Sequence, residues 1–206
     1  MSAVAPSHPS GPPAARYTPD DVLAMSDRIV ELVDGRLVEK TLGPRASWIA
    51  TTIARLLYPA SEAKGLGFVM IESFVQAFPK DPNRIRRPDV LFATANHFPN
   101  GVIPEKTLRF VPEFIVEVQS PNDEVDQVEA RIDDYLDHGA KLVWLVLPGR
   151  RSVRVHRADG TIQRFRENDR TFLPHRTIVF SARFVAREPG DCCRNLQVLA
   201  TSDQAR

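Results

Sequence analysis

The sequence predicts an α/β (α+β) fold: a mixed β-sheet flanked by helices, with a β-hairpin near each end. Three observations carry this reading. Asp34-Gly35 and Asp159-Gly160 each separate a pair of short strand-like runs, the pattern of a tight hairpin turn. Two stretches, Ser47 to Lys64 and the one after Asn122-Asp123, repeat apolar residues at helical spacing. Val90 to Thr94, Glu113 to Gln119 and Lys141 to Leu147 are apolar runs of strand length, and the last is so uniformly apolar that it belongs in the middle of a sheet.

Taken in order, residues 1–16 are rich in Pro, Ser and Ala and read as a disordered leader. Residues 17–187 read as a single domain, and residues 188–206 as a loose tail. Thr18-Pro19-Asp20-Asp21 starts a short helix that ends near Ser26, with Thr18 as N-cap and Pro19 at the first helical position. In the hairpin from Arg28 to Lys40, alternation puts Ile29, Glu31 and Val33 on one face, so Glu31 is an acid between apolar neighbours. Pro59 kinks or breaks the second half of the helix of Ser47 to Lys64, which Gly65 and Gly67 end. Phe68 to Phe78 reads as one long strand, and Asn96 to Val111 as a polar loop. Asn122 or Asp123 caps the next helix, whose buried face is Val125, Val128, Ile132, Tyr135 and Leu136, and Gly139 ends it. Trp48 and Trp144 read as core.

Composition bounds the function. A net charge of +1 gives no global pull toward nucleic acid, so such affinity must come from local clusters such as Arg84, Arg86 and Arg87. No apolar run is long enough to span a bilayer, and the start of the chain lacks the basic and apolar regions of a signal peptide. The only cysteines are the neighbours Cys192 and Cys193, which form neither a disulfide framework nor a zinc spacing. A cytoplasmic protein without membrane contact or organic cofactor is the reading.

The chemistry centres on two acids. Asp89 follows Pro88 and opens an apolar strand, and Glu117 lies inside another. An ionised carboxylate there is costly unless a cation compensates it. Period-2 alternation puts Glu117 and Gln119 on one face of their strand. Two carboxylates with a polar partner on adjacent strands suit Mg²⁺, which takes oxygen ligands. The competing reading of Glu117 is a salt bridge to an arginine, and that of Asp89 a turn residue. If the two acids face each other unpaired, their repulsion predicts that Asp89→Ala leaves the metal-free fold intact.

These residues resemble the PD-(D/E)xK nuclease superfamily, and within it the Uma-two family of restriction-endonuclease-like proteins. The matching pieces are Glu31 to Glu39, Arg87-Pro88-Asp89-Val90, Phe114 to Pro121, and Tyr135-Leu136 through Gly139 to Val146. The resemblance runs from about Tyr17 to Val185 and implies a restriction-endonuclease-like core. It implies that Asp89 and Glu117 ligate the metal with the main-chain carbonyl of Val118, and that Glu31 is a further acid at the site. Three positions depart from the pattern. Gln119 stands where the superfamily has lysine, Arg131 where the family often has lysine on the following helix, and Ala46 where a histidine is common.

The function implied is a Mg²⁺- or Mn²⁺-dependent endonuclease cutting DNA phosphodiesters, with a homodimer as one option for its assembly. Gln119 would orient the water, Arg131 would stabilise phosphate charge, and Arg84, Arg86 and Arg87 would contact the nucleic-acid backbone. A plain salt bridge from Arg131 to Asp134 or Asp89 is the alternative for that residue. The alternative for the whole chain is a nuclease fold without catalysis, acting as a nucleic-acid-binding or protein-interaction module.

Overall fold

Thr18 opens the chain's first helix as its sequence requires. In the computed structural model, which describes residues 16–25, 28–40, 43–166, 170–172 and 179–181, helix α1 (Pro19–Ala24) starts with a capping box. The Thr18 hydroxyl accepts from the Asp21 N–H, and the Asp21 carboxylate accepts from the Thr18 N–H at 2.8 Å. Strands β1 (Val30–Val33) and β2 (Arg36–Glu39) form the first hairpin, turned at Asp34 and Gly35 with φ of 52° and 76°. Both positive angles belong to the type I′ turn that the Asp-Gly pair favours. The leader, the tail and the two cysteines lie outside the described residues.

The body is a six-stranded sheet in the order β3 (Gly67–Ile71), β4 (Val90–Thr94), β5 (Phe114–Val118), β6 (Leu142–Leu147), β7 (Ser152–Arg157), β8 (Ile162–Arg166). All pairings are antiparallel except β5–β6, which are parallel and joined by helix α3 (Val125–Asp137). The apolar β6 is interior to the sheet, as its composition requires. Helix α2 (Pro44–Leu57) covers one face, packing Ile49, Ile53 and Leu57 on Val90, Phe92, Val116 and Trp144. Helix α3 covers the other, packing Val128, Ile132 and Tyr135 on Leu91, Ile115 and Val143. A short pair, β9 (Arg170–Phe172) with β10 (Val179–Ser181), follows.

Several boundaries differ from the sequence reading, each for a local reason. The stretch Phe68 to Phe78 is not one strand. Glu72 takes a left-handed backbone, φ 51°, which turns the chain out of the sheet after Ile71. Val75 pairs instead with Arg86 and Leu108. Helix α2 begins at Pro44 and ends at Leu57, and the segment around Pro59 continues only as 3-10 turns. Asp123 does not cap α3. Its carboxylate accepts from the Ser120 N–H at 2.9 Å and closes the turn before the helix, while Val125, the first helical residue, is exposed. Trp48 lies on the outer face of α2 and is 41% exposed, whereas Trp144 is core.

The hairpin β1–β2 docks through a third apolar cluster, Val22, Val30, Leu32 and Ile85. Leu32 and Ile85 exchange both main-chain hydrogen bonds at 2.9 Å. The packed face of β1 is therefore Val30 and Leu32, while Ile29 is exposed and Glu31 is fully buried on the opposite side. That docking carries the end of β2 to Asp89 and Glu117, beside β4 and on β5.

Gly67 marks where β3 meets β4 most closely, since a Cβ there would lie 2.1 Å from the Ala93 carbonyl oxygen. Gly67→Ala is expected to lower stability by about 1–3 kcal/mol through forced displacement of β3. Urea unfolding followed by tryptophan fluorescence measures it.

Candidate active site

Strand parity brings the two acids together. On β4, Leu91 faces α3, and Asp89 lies two residues before it on the same side. On β5, Ile115 and Glu117 point the same way, into the layer where Tyr135 meets Glu117. The antiparallel register pairs Val90 with Val116, so the next pair outward is Asp89 with Glu117. Both are buried, at 0% and 3% exposure.

The cation between them is not an arginine. Lys40, at the end of β2, places its Nζ 2.7 Å from Asp89 Oδ1 and 2.9 Å from Glu117 Oε2, and donates to the Arg87 carbonyl at 2.7 Å. The sequence reading did not assign Lys40. A signal was present: the two-residue turn pairs Glu31 with Val38, and Lys40 follows Val38 by two, so Lys40 shares the face of Glu31. What the hairpin alone could not disclose is that this face meets Asp89 and Glu117.

Each remaining oxygen of the pair is fixed. Asp89 Oδ2 accepts from the Val118 N–H at 2.6 Å, and Glu117 Oε1 accepts from the Tyr135 hydroxyl at 2.9 Å. Val118 thus meets Asp89 through its N–H, and the carbonyl that touches the cation is that of Arg87. Gln119 is half-buried and its N–H bonds to the Val146 carbonyl at 2.9 Å.

The three arginines divide. Arg86 is 4% exposed, donating from Nη1 to Glu31 at 2.8 Å and from Nε to Asp134 at 2.8 Å. Its guanidinium is engaged by carboxylates in the interior, which takes it away from any phosphate. Arg84 bonds Asp134 as well and reaches Asp34 at 3.1 Å and Asp81 at 3.3 Å. Arg87 pairs with Glu72 at 3.1 Å and lies over the Phe74 ring. Glu31 also accepts from the Arg87 N–H at 2.9 Å, so it anchors the Arg86-Arg87 main chain just before Asp89.

Arg131 is buried on α3, and its ion-pair partner is Asp123 at 3.8 Å rather than Asp134 or Asp89. Its Nε has no hydrogen-bond acceptor. Burial opposes its charge, but the fields of Glu117 and Glu31 outweigh burial and hold the guanidinium firmly protonated.

The electrostatics follow from this packing. Burial works against the charge of Lys40, yet Asp89, Glu117 and Glu31 overcome it and raise its pKa above the ordinary lysine value. Burial would raise Glu31, but Arg86 and Lys40 outweigh it and hold that carboxyl low. Glu117 goes the other way: burial raises it, and the neighbouring Asp89 adds to the rise against the pull of Lys40. Glu72, across from Asp89, is pushed up to about 7, chiefly by burial.

The donor set fits a hard cation. Two carboxylates and one carbonyl converge on a single positively charged atom, and Asp89 Oδ1 is ion-paired but makes no hydrogen bond. Among the described residues no three His, Cys, Asp or Glu side chains form a ready metal cluster. Asp89 and Glu117 are two such side chains, and the space between them is filled by the Lys40 ammonium.

A family model named Uma2 and described as "Putative restriction endonuclease" matches residues 19–182. The chain belongs to the Uma2 family. The description is of a nuclease family, whose substrate is nucleic acid. No curated protein matches the chain. Among solved structures it is similar to one titled as a putative nuclease belonging to DUF820 from Anabaena variabilis. The two share a TM-score of 0.72 at 19% identity, over 82% of this chain and 96% of that one, a likeness of fold. The Uma2 match spans the site from Glu31 to Arg131, including Lys40. No helix among the described residues is long and apolar enough to cross a membrane.

Two stability tests follow from the site. Lys40 reverses the expectation for Asp89→Ala, which now strands one side of a buried ion pair and frees the Val118 N–H. That variant is expected to melt below wild type without metal. Glu72 has a folded pKa above its unfolded one, so ionising it opposes folding. Its contribution is intact below about pH 4.5 and is lost as pH rises toward about 7. Glu72→Gln is expected to match wild type at pH 4.5 and to exceed it in stability at pH 8, measured by urea unfolding at both pH values.

Proposed function

We propose that this Uma2 protein is a Mg²⁺- or Mn²⁺-dependent endonuclease that hydrolyses DNA phosphodiester bonds at Asp89 and Glu117. The observation that supports this most is the convergence of the two buried carboxylates on one cationic point. A divalent ion there polarises a phosphate and lowers the pKa of a water, the chemistry a phosphodiesterase needs.

The chain's own residues have separable tasks in this reading. Asp89 and Glu117 would hold the ion, their Oδ1 and Oε2 being the oxygens that face Lys40. The Val118 N–H and the Tyr135 hydroxyl keep those carboxylates oriented from behind. Gln119, on the same face as Glu117, orients the attacking water by hydrogen bonding, since a carboxamide cannot take its proton. Arg131 remains charged at every working pH and stabilises negative charge developing on the phosphate. Arg84 and Arg87, with side chains each 20% exposed, are the members of the basic cluster left to meet the nucleic-acid backbone. Arg86 and Glu31 serve by fixing the segment that ends at Asp89.

A second reading rests on the same ion pair. If Lys40 has replaced the metal for good, the fold is a non-catalytic nucleic-acid-binding or protein-interaction module. A nicking assay on supercoiled plasmid with Mg²⁺ and Mn²⁺ separates the two. Cleavage that disappears in Asp89→Ala and Glu117→Ala is the expected result, and Arg131→Ala is expected to slow it about a hundredfold. Plasmid left intact by wild type with either ion, while still bound in a gel shift, points to the module.

A further inference from the structure

The ammonium of Lys40 has the contacts of a bound metal. It meets two carboxylate oxygens and one main-chain carbonyl, all within 2.9 Å. Its side chain is 4% exposed, and the two acids it joins are as deeply buried. Removing such a cation without replacement would leave two carboxylates facing each other away from water, which is strongly unfavourable. The ammonium and a divalent ion also cannot share the space. A metal would sit at about 2.0–2.1 Å from the same oxygens, in contact with the ammonium and repelled by it.

We propose that Lys40 is the resident counter-ion of the metal seat, which it yields when a divalent cation binds, its ammonium then moving outward to face a substrate phosphate. This rests on the proposed metal site. The charges support an exchange. Against Asp89 and Glu117, Lys40 leaves one negative charge uncompensated, whereas a divalent ion neutralises both. The placement supports it too. Lys40 enters from the end of a separately packed hairpin, not from β4 or β5, on a flexible four-carbon stem that is independent of the strands holding the acids. Lys40 is thus a positioning residue in the metal-free protein and meets substrate only after loading.

The exchange is read in wild-type protein by acetylating exposed amines and following Lys40 by mass spectrometry, with and without Mn²⁺ at a concentration shown by calorimetry to saturate. Lys40 is expected to resist modification without metal and to react about tenfold faster with it. Continued protection with Mn²⁺ bound would overturn the exchange while leaving the metal site standing. Absence of any Mn²⁺ binding by calorimetry would sink the metal site and the exchange together. Lys40→Met gives a second readout. It is expected to melt lower than wild type without metal, to bind Mn²⁺ about tenfold more tightly, and to gain more melting temperature on binding. Equal Mn²⁺ affinity in the variant and wild type would count against the exchange. Should Lys40→Met fail to fold, the acetylation result decides alone.

Discussion

The ion pair of Lys40 with Asp89 and Glu117 is the constraint on which the rest of this molecule depends. A sheet of this kind places strand ends side by side, and here it places two acids side by side, out of water. Neither carboxylate is tenable there as an isolated charge. The fold answers by importing cations from three directions: Lys40 from the N-terminal hairpin, Arg86 from the segment before β4, and Arg131 from α3. Each is held by carboxylates in turn, so the interior around the site is a closed lattice of alternating charge rather than a set of separate salt bridges.

This arrangement explains why the hairpin and the basic cluster sit where they do. Glu31 grips both the Arg86 guanidinium and the Arg87 N–H, and Asp134 grips Arg86 from α3. The segment leading to Asp89 is thereby pinned between the hairpin and the helix, with Leu32 and Ile85 closing the apolar side. Buried ion networks of this type contribute little net stability against apolar packing, but they fix one geometry because every misplacement leaves a charge without a partner. A site that must hold two carboxylates within reach of one ion benefits from that rigidity. Glu72 is the exception in the lattice. Its left-handed backbone and raised pKa place a strained acid beside Asp89 and Glu117.

Membership in the Uma2 family and the likeness in fold to a solved structure titled as a putative nuclease agree with the layered architecture. The lysine between the two acids arrives from the end of the N-terminal hairpin rather than from β5 or α3.

Much of this was legible in the sequence because it is local. Asp34-Gly35 fixes a hairpin through the backbone angles it permits, Thr18 and Pro19 fix a helix start, and alternation along Phe114 to Val118 fixes which way Glu117 points. The burial cost of Asp89 and Glu117 announced that some cation must be near. The identity of that cation was not local. Lys40 is separated from Glu117 by 77 positions, and its own hairpin discloses only that it shares a face with Glu31. Likewise Arg86 reads as one of three surface arginines until Glu31 and Asp134 are brought to it. Sequence by itself determined the elements, the faces of the strands and the need for compensation, since these follow from backbone sterics and periodicity. Tertiary structure alone decided which charges met, because an ion pair depends on distances that only the docking of hairpin, sheet and helix sets.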